Sequence, residues 1–133
     1  MSDREEIVSR VTAALEGAPA PVAIRNARKV DARGEQSGYW VVSNASGAIA
    51  ASGVGDEAFE QYCGTVGIDP ADRNAVVDAE GRILTPGYVD IHSHGAWEKS
   101  FDDGPDGIDV ARAGHAVHGT TRQVLSLITN PVD

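Results

Sequence analysis

The chain has 133 residues, one ordinary domain's worth, with 11 basic and 20 acidic side chains and a formal net charge of -9. Binding to a phosphate backbone or an anionic membrane relies on clustered Lys and Arg, so neither nucleic acid nor a membrane is expected as a partner. No apolar run approaches the ~18 to 20 residues of a membrane span, acids crowd the start where a secretory leader would be basic, and a single cysteine, Cys63, excludes an internal disulfide. Together these features predict a soluble, cytoplasmic protein.

Ile7, Val8, Val11, Ala14 and Leu15 recur at helical spacing, Ser2 and Glu5 have capping-box spacing, and Gly17 and Pro19 end the run. Residues 1–20 are therefore expected as a helical extension that covers an open face of the next elements and carries no chemistry of its own. From Pro21 to Leu84 short β segments alternate with turn residues: Val22–Ala27, Tyr39–Ser43, Ala48–Ala51, Ala75–Asp78 and Arg82–Leu84. Residues 21–86 are expected to form an antiparallel sheet, part of a small β-sandwich. Between Asp56 and Gly67, Phe59, Tyr62 and Cys63 share a helical face. Cys63 has no basic or His neighbour to stabilise a thiolate and is expected as a buried small hydrophobe.

Beyond Pro86-Gly87 the pattern becomes strand (Tyr88–Gly95), Gly- and Asp-rich loop, helix (Ile108–His118), Gly119 as its cap, and an apolar strand Val124–Ile128. That order is a βαβ unit, which makes the fold class α/β. The second strand is apolar enough to be buried on both faces. Glu98, Asp102, Asp103, Asp106 and Asp109, with Lys99 as their only counterweight, are expected to lie in water.

His92-Ser93-His94 is the strongest chemical feature. Alternate side chains of a strand share a face about 6.5 to 7 Å apart, so two imidazoles can converge on one divalent ion at the end of the strand where α/β sites collect. Imidazole suits zinc, iron and nickel alike. His115 and His118 share a helix face, but a βαβ crossover returns the helix end to the opposite side of the sheet, so capping or packing is expected of them. Trp97 is expected to pack, and Gly95 to let the backbone turn beside the metal.

Leu84-Thr85-Pro86-Gly87-Tyr88-Val89-Asp90-Ile91-His92-Ser93-His94-Gly95 resembles the opening of the metal-dependent amidohydrolase superfamily. There a P-G-x-x-D-x-H-x-H segment is the first strand of a (β/α)8 barrel, preceded by part of a small β-sandwich. His115 with His118-Gly119-Thr120-Thr121, then Leu125 to Pro131, resembles the N-acetylglucosamine-6-phosphate deacetylase family. The helix over residues 2–16 is not matched to that pattern.

The resemblance implies that residues 87–133 are the first two strands and first helix of a truncated barrel. It implies His92 and His94 as metal ligands, zinc foremost, with the general base downstream. An amino-sugar phosphate would be the substrate, and the intact parent a homodimer that hydrolyses N-acetylglucosamine 6-phosphate to glucosamine 6-phosphate and acetate. The 133 residues alone are expected to be inactive. Two alternatives stand beside this: another amidohydrolase acting on a cyclic amide, of dihydroorotase or hydantoinase type, or a non-catalytic packing domain.

Overall fold

The computed structural model describes residues 2–17 and 22–128, so Pro19, Pro21 and residues 129–133 of the expected elements lie outside the described residues. In chain order come α1 (Asp3–Glu16), β1 (Ala23–Asp31), β2 (Gly34–Ser43), β3 (Ile49–Val54), α2 (Asp56–Val66), β4 (Val76–Asp78) and β5 (Ile83–Leu84). Then come β6 (Tyr88–Ser93), β7 (Gly95–Ala96), β8 (Lys99–Ser100), a 3-10 turn (Phe101–Asp103), α3 (Gly104–Ala116) and β9 (Thr120–Leu125). The chain divides into two units, residues 18–86 and residues 1–17 with 87–133. Each contains both helix and strand, so the fold is mixed α/β. No helix among the described residues is long and apolar enough to cross a membrane.

In residues 18–86 the strands form one sheet in the order β3-β2-β1-β4, with β5 also beside β1. β1–β2 and β2–β3 are antiparallel, whereas β4 and β5 run parallel to β1. The expectation of an antiparallel sheet is thereby corrected to a mixed one. Helix α2 and the loop after it return the chain to the end at which β1 begins, and a crossover of that kind produces a parallel neighbour. The core lies between sheet and helix, where Ala23, Trp40, Val42 and Val76 meet Phe59 and Cys63. Burial pushes the Cys63 thiol up, as expected of a packing cysteine.

In the other unit α1 opens on the expected capping box of Ser2 and Glu5 and packs against α3. Thus the helix covers an element distant in sequence, while the sheet next to it along the chain is covered by α2. Helix α3 starts at Gly104, earlier than the expected Ile108, because Pro105 supplies the fixed φ of a first helical turn. The acidic run is correspondingly less of a loop than expected. Asp103 closes a reciprocal capping box with Ser100, and Asp106 and Asp109 stand on α3.

β6 and β9 form a parallel pair, Tyr88 opposite Thr120 and Ser93 opposite Leu125. The expected Val124–Ile128 strand is corrected to Thr120–Leu125. Gly119, at φ 94°, turns the chain so that its carbonyl accepts the Tyr88 N–H at 2.9 Å, and pairing starts there. Nor is this strand buried on both faces. Val124, Leu125, Leu127 and Ile128 are exposed, as are Val89 and Ile91 of β6, because a two-stranded pair covers only the side that α3 packs on.

Candidate metal centre

The H-x-H segment straddles the end of β6. His92 is inside the strand and His94 lies one residue beyond it. Between Asp90 and Ser93 the register slips, three steps on β6 answering two on β9 from Gln123 to Leu125. Such a bulge bends a strand and re-aims its side chains. Strict alternation would send Ser93 to the face opposite Asp90, yet Ser93 accepts a hydrogen bond from Gln123 Nε2 at 2.9 Å beside the Asp90 carboxylate. The expected i, i+2 geometry is therefore modified, but the two imidazoles still meet. Their ring centroids are 4.9 Å apart and their planes nearly perpendicular, at 88°.

Both rings are exposed. His94 Nδ1 donates to the Ser126 carbonyl oxygen at 3.0 Å, which leaves Nε2 of the neutral ring as a lone-pair donor. A metal-binding histidine typically has its second nitrogen tied in this way. The His94 carbonyl in turn accepts from the Phe101 N–H at 3.0 Å and from Ser100 Oγ at 3.2 Å. Two neighbouring imidazoles, one with its tautomer set by a backbone carbonyl, fit a divalent ion as part of its ligand set. Among the described residues no group of three or more His, Cys, Asp or Glu side chains converges.

Asp90 faces inward. Its Oδ1 accepts the His92 backbone N–H at 3.0 Å, and that bond, helped by Ser93, His115 and Gln123, holds the carboxyl below the usual carboxylate range.

His115 departs from expectation. It stands near the end of α3 yet reaches Gly95 and Asp90 rather than the far side of the sheet. Crossover topology alone treats the loop after β6 as passive, whereas the β7–β8 hairpin folds back onto the last turns of α3. Gly114 permits this approach, since a Cβ there would lie 3.1 Å from Ala96 Cβ and from the Trp97 ring. His118, by contrast, donates to the Gly114 carbonyl at 2.8 Å and serves the helix end, as expected. Trp97 packs beneath Arg4, whose guanidinium sits 5.3 Å from the ring centroid and donates to the Trp97 carbonyl. The sequence reading gave no role to Asp90, although it is the D of the P-G-x-x-D-x-H-x-H segment, nor to Ser126 and Gln123, which lie on or just past the strand beside the two histidines.

No protein-family model matches the chain. The imidazolonepropionase of Geobacillus sp. (strain WCH70) is 32% identical over 95 residues, covering 66% of this chain and 20% of that protein. The imidazolonepropionase of Sphingopyxis alaskensis is 35% identical over 69 residues, covering 46% and 17%. The dihydroorotase of Clostridium acetobutylicum is 43% identical over 67 residues, covering 50% and 15%. The chain spans about a fifth or less of the length of these curated relatives. They are amidohydrolase-superfamily proteins named for cyclic amides, and the similarity supports the cyclic-amide alternative better than the deacetylase.

Proposed function

We propose that the chain is the opening part of a metal-dependent amidohydrolase that hydrolyses a cyclic amide, with His92 and His94 as two of its metal ligands. The observation that carries this reading is the imidazole pair with His94 held by the Ser126 carbonyl, in a chain that is similar over part of its length to imidazolonepropionases and a dihydroorotase. When bound, a divalent ion supplies Lewis-acid polarisation of the amide carbonyl. Imidazole suits zinc, iron and nickel alike, and zinc is taken as the ion on the family resemblance. His92 and His94 hold the ion and transfer no proton. Asp90 is engaged by the His92 amide and no third His, Cys, Asp or Glu joins the ring pair among the described residues, so this reading assigns the proton-transferring group and the remaining ligands to residues outside those described.

Two measurements test this. His92→Asn combined with His94→Asn should lower bound zinc, read by elemental analysis, because about four ligands are needed and two would be gone; equal metal content would overturn the ligand assignment. On the complete protein, ring opening of imidazolonepropionate or dihydroorotate should exceed acetate release from N-acetylglucosamine 6-phosphate. The second reading, the deacetylase, rests on the His118-Gly119-Thr120-Thr121 segment. Acetate release without ring opening would establish it instead.

A further inference from the structure

His115 presents both ring nitrogens to the segment that carries His92 and His94. Its Nε2 lies 3.1 Å from the carbonyl oxygen of Gly95, the residue after His94. Its Nδ1 lies 3.7 Å from Asp90 Oδ2, and the other oxygen of that carboxylate accepts the His92 N–H at 3.0 Å. Since a carbonyl can only accept, Nε2 donates to Gly95; the imidazole thus holds the backbone after His94 directly and lies beside the carboxylate that caps the His92 amide.

The brace is itself held. The His115 side chain is 21% exposed and stacks on the buried Phe101, with ring centroids 6.3 Å apart and planes at 29°. Gly114 beside it keeps α3 close to the hairpin. This matters because the segment it spans contains the register slip of β6, where ladder hydrogen bonding to β9 is interrupted.

We infer that His115 is a positioning residue for the His92–His94 pair, setting the backbone from Asp90 to Gly95 so that the two imidazoles are ordered before an ion arrives. The inference rests on the reading of that pair as metal ligands. Exposed side chains on an unbraced bulge would lose conformational freedom on binding, and ordering them in advance removes that cost. Groups one step removed from a metal commonly change its affinity about 10- to 100-fold.

The test is cobalt(II) titration of the full chain, monitored by visible absorption, with His115→Phe and His115→Gln. Phenylalanine keeps a ring against Phe101 and donates nothing; glutamine restores an N–H for the Gly95 carbonyl. His115→Phe should weaken cobalt binding about tenfold or more, and His115→Gln should recover much of the loss. Without metal, NMR should show faster amide exchange at His92 in His115→Phe. Unchanged cobalt affinity and unchanged His92 exchange in His115→Phe would overturn the inference while leaving the ligand pair intact. Cobalt binding that survives His92→Asn with His94→Asn is a different result and overturns the pair. Should His115→Phe not fold, His115→Leu replaces it, with the same two outcomes.

Discussion

His94 Nδ1 lies 3.0 Å from the Ser126 carbonyl oxygen, so an exposed imidazole just past one strand is oriented by the backbone just past its parallel neighbour. Ser126 is held in turn by its own N–H, which donates to the Ser93 carbonyl at 3.1 Å. A carbonyl can only accept, so the neutral ring must carry its proton on Nδ1. Nitrogen-resolved NMR of the neutral His94 ring should accordingly show the Nδ1–H tautomer, the less common form of a free imidazole. A dominant Nε2–H form would show that the bond is absent, and with it the orientation of the ligand.

Trp40 and Gly53 are directly opposite in the β2–β3 register, and the indole lies where a side chain at residue 53 would be. A Cβ there would come within 2.7 Å of the ring. Gly53→Ala should therefore destabilise residues 18–86 by about 1–3 kcal/mol through overpacking, seen as a lower urea midpoint with little change in slope. The indole is the obstacle, so Trp40→Leu should reduce the effect of Gly53→Ala. Additive losses would mean that the two positions do not share this contact.

Asp78 accepts the Glu80 N–H at 2.9 Å and an Asn26 side-chain N–H at 3.1 Å, and pairs with Arg25 at 3.2 Å. These contacts, the Glu80 amide first, hold its carboxyl below the usual range. Since the folded pKa lies below the unfolded one, the stabilisation is complete above about pH 4–5 and disappears as pH falls through the folded value. Asp78→Asn should be less stable than the unsubstituted chain near pH 7, with the difference shrinking toward pH 2. Urea unfolding across that range checks the sign, and a gap that widens in acid would contradict it.

Ile91 is 76% exposed on β6, and Leu127 is 63% exposed just past β9. Apolar side chains on an open parallel pair favour strand pairing between copies. The chain should self-associate at roughly micromolar to millimolar concentration, and Ile91→Lys should shift its sedimentation toward monomer. A chain that sediments as a monomer throughout that range would show that the exposed face is tolerated.

Features that depend on local chemistry were legible in the chain of residues alone. Helix α1 arose from apolar spacing with a Ser2–Glu5 cap, α2 from the shared face of Phe59 and Cys63, and the ring pair from His92 and His94 on either side of one residue. Features that rest on contacts distant along the chain were not. The parallel placement of β4 depends on where α2 delivers the chain, and the start of β9 on the Tyr88–Gly119 bond. His115 reaches Gly95 across twenty positions. Crossover topology put that imidazole at the wrong end because it describes strands and helices, whereas the hairpin bringing Gly95 to α3 is a loop. Its approach depends on a missing side chain at Gly114, whose neighbours in space are Ala96 and Trp97.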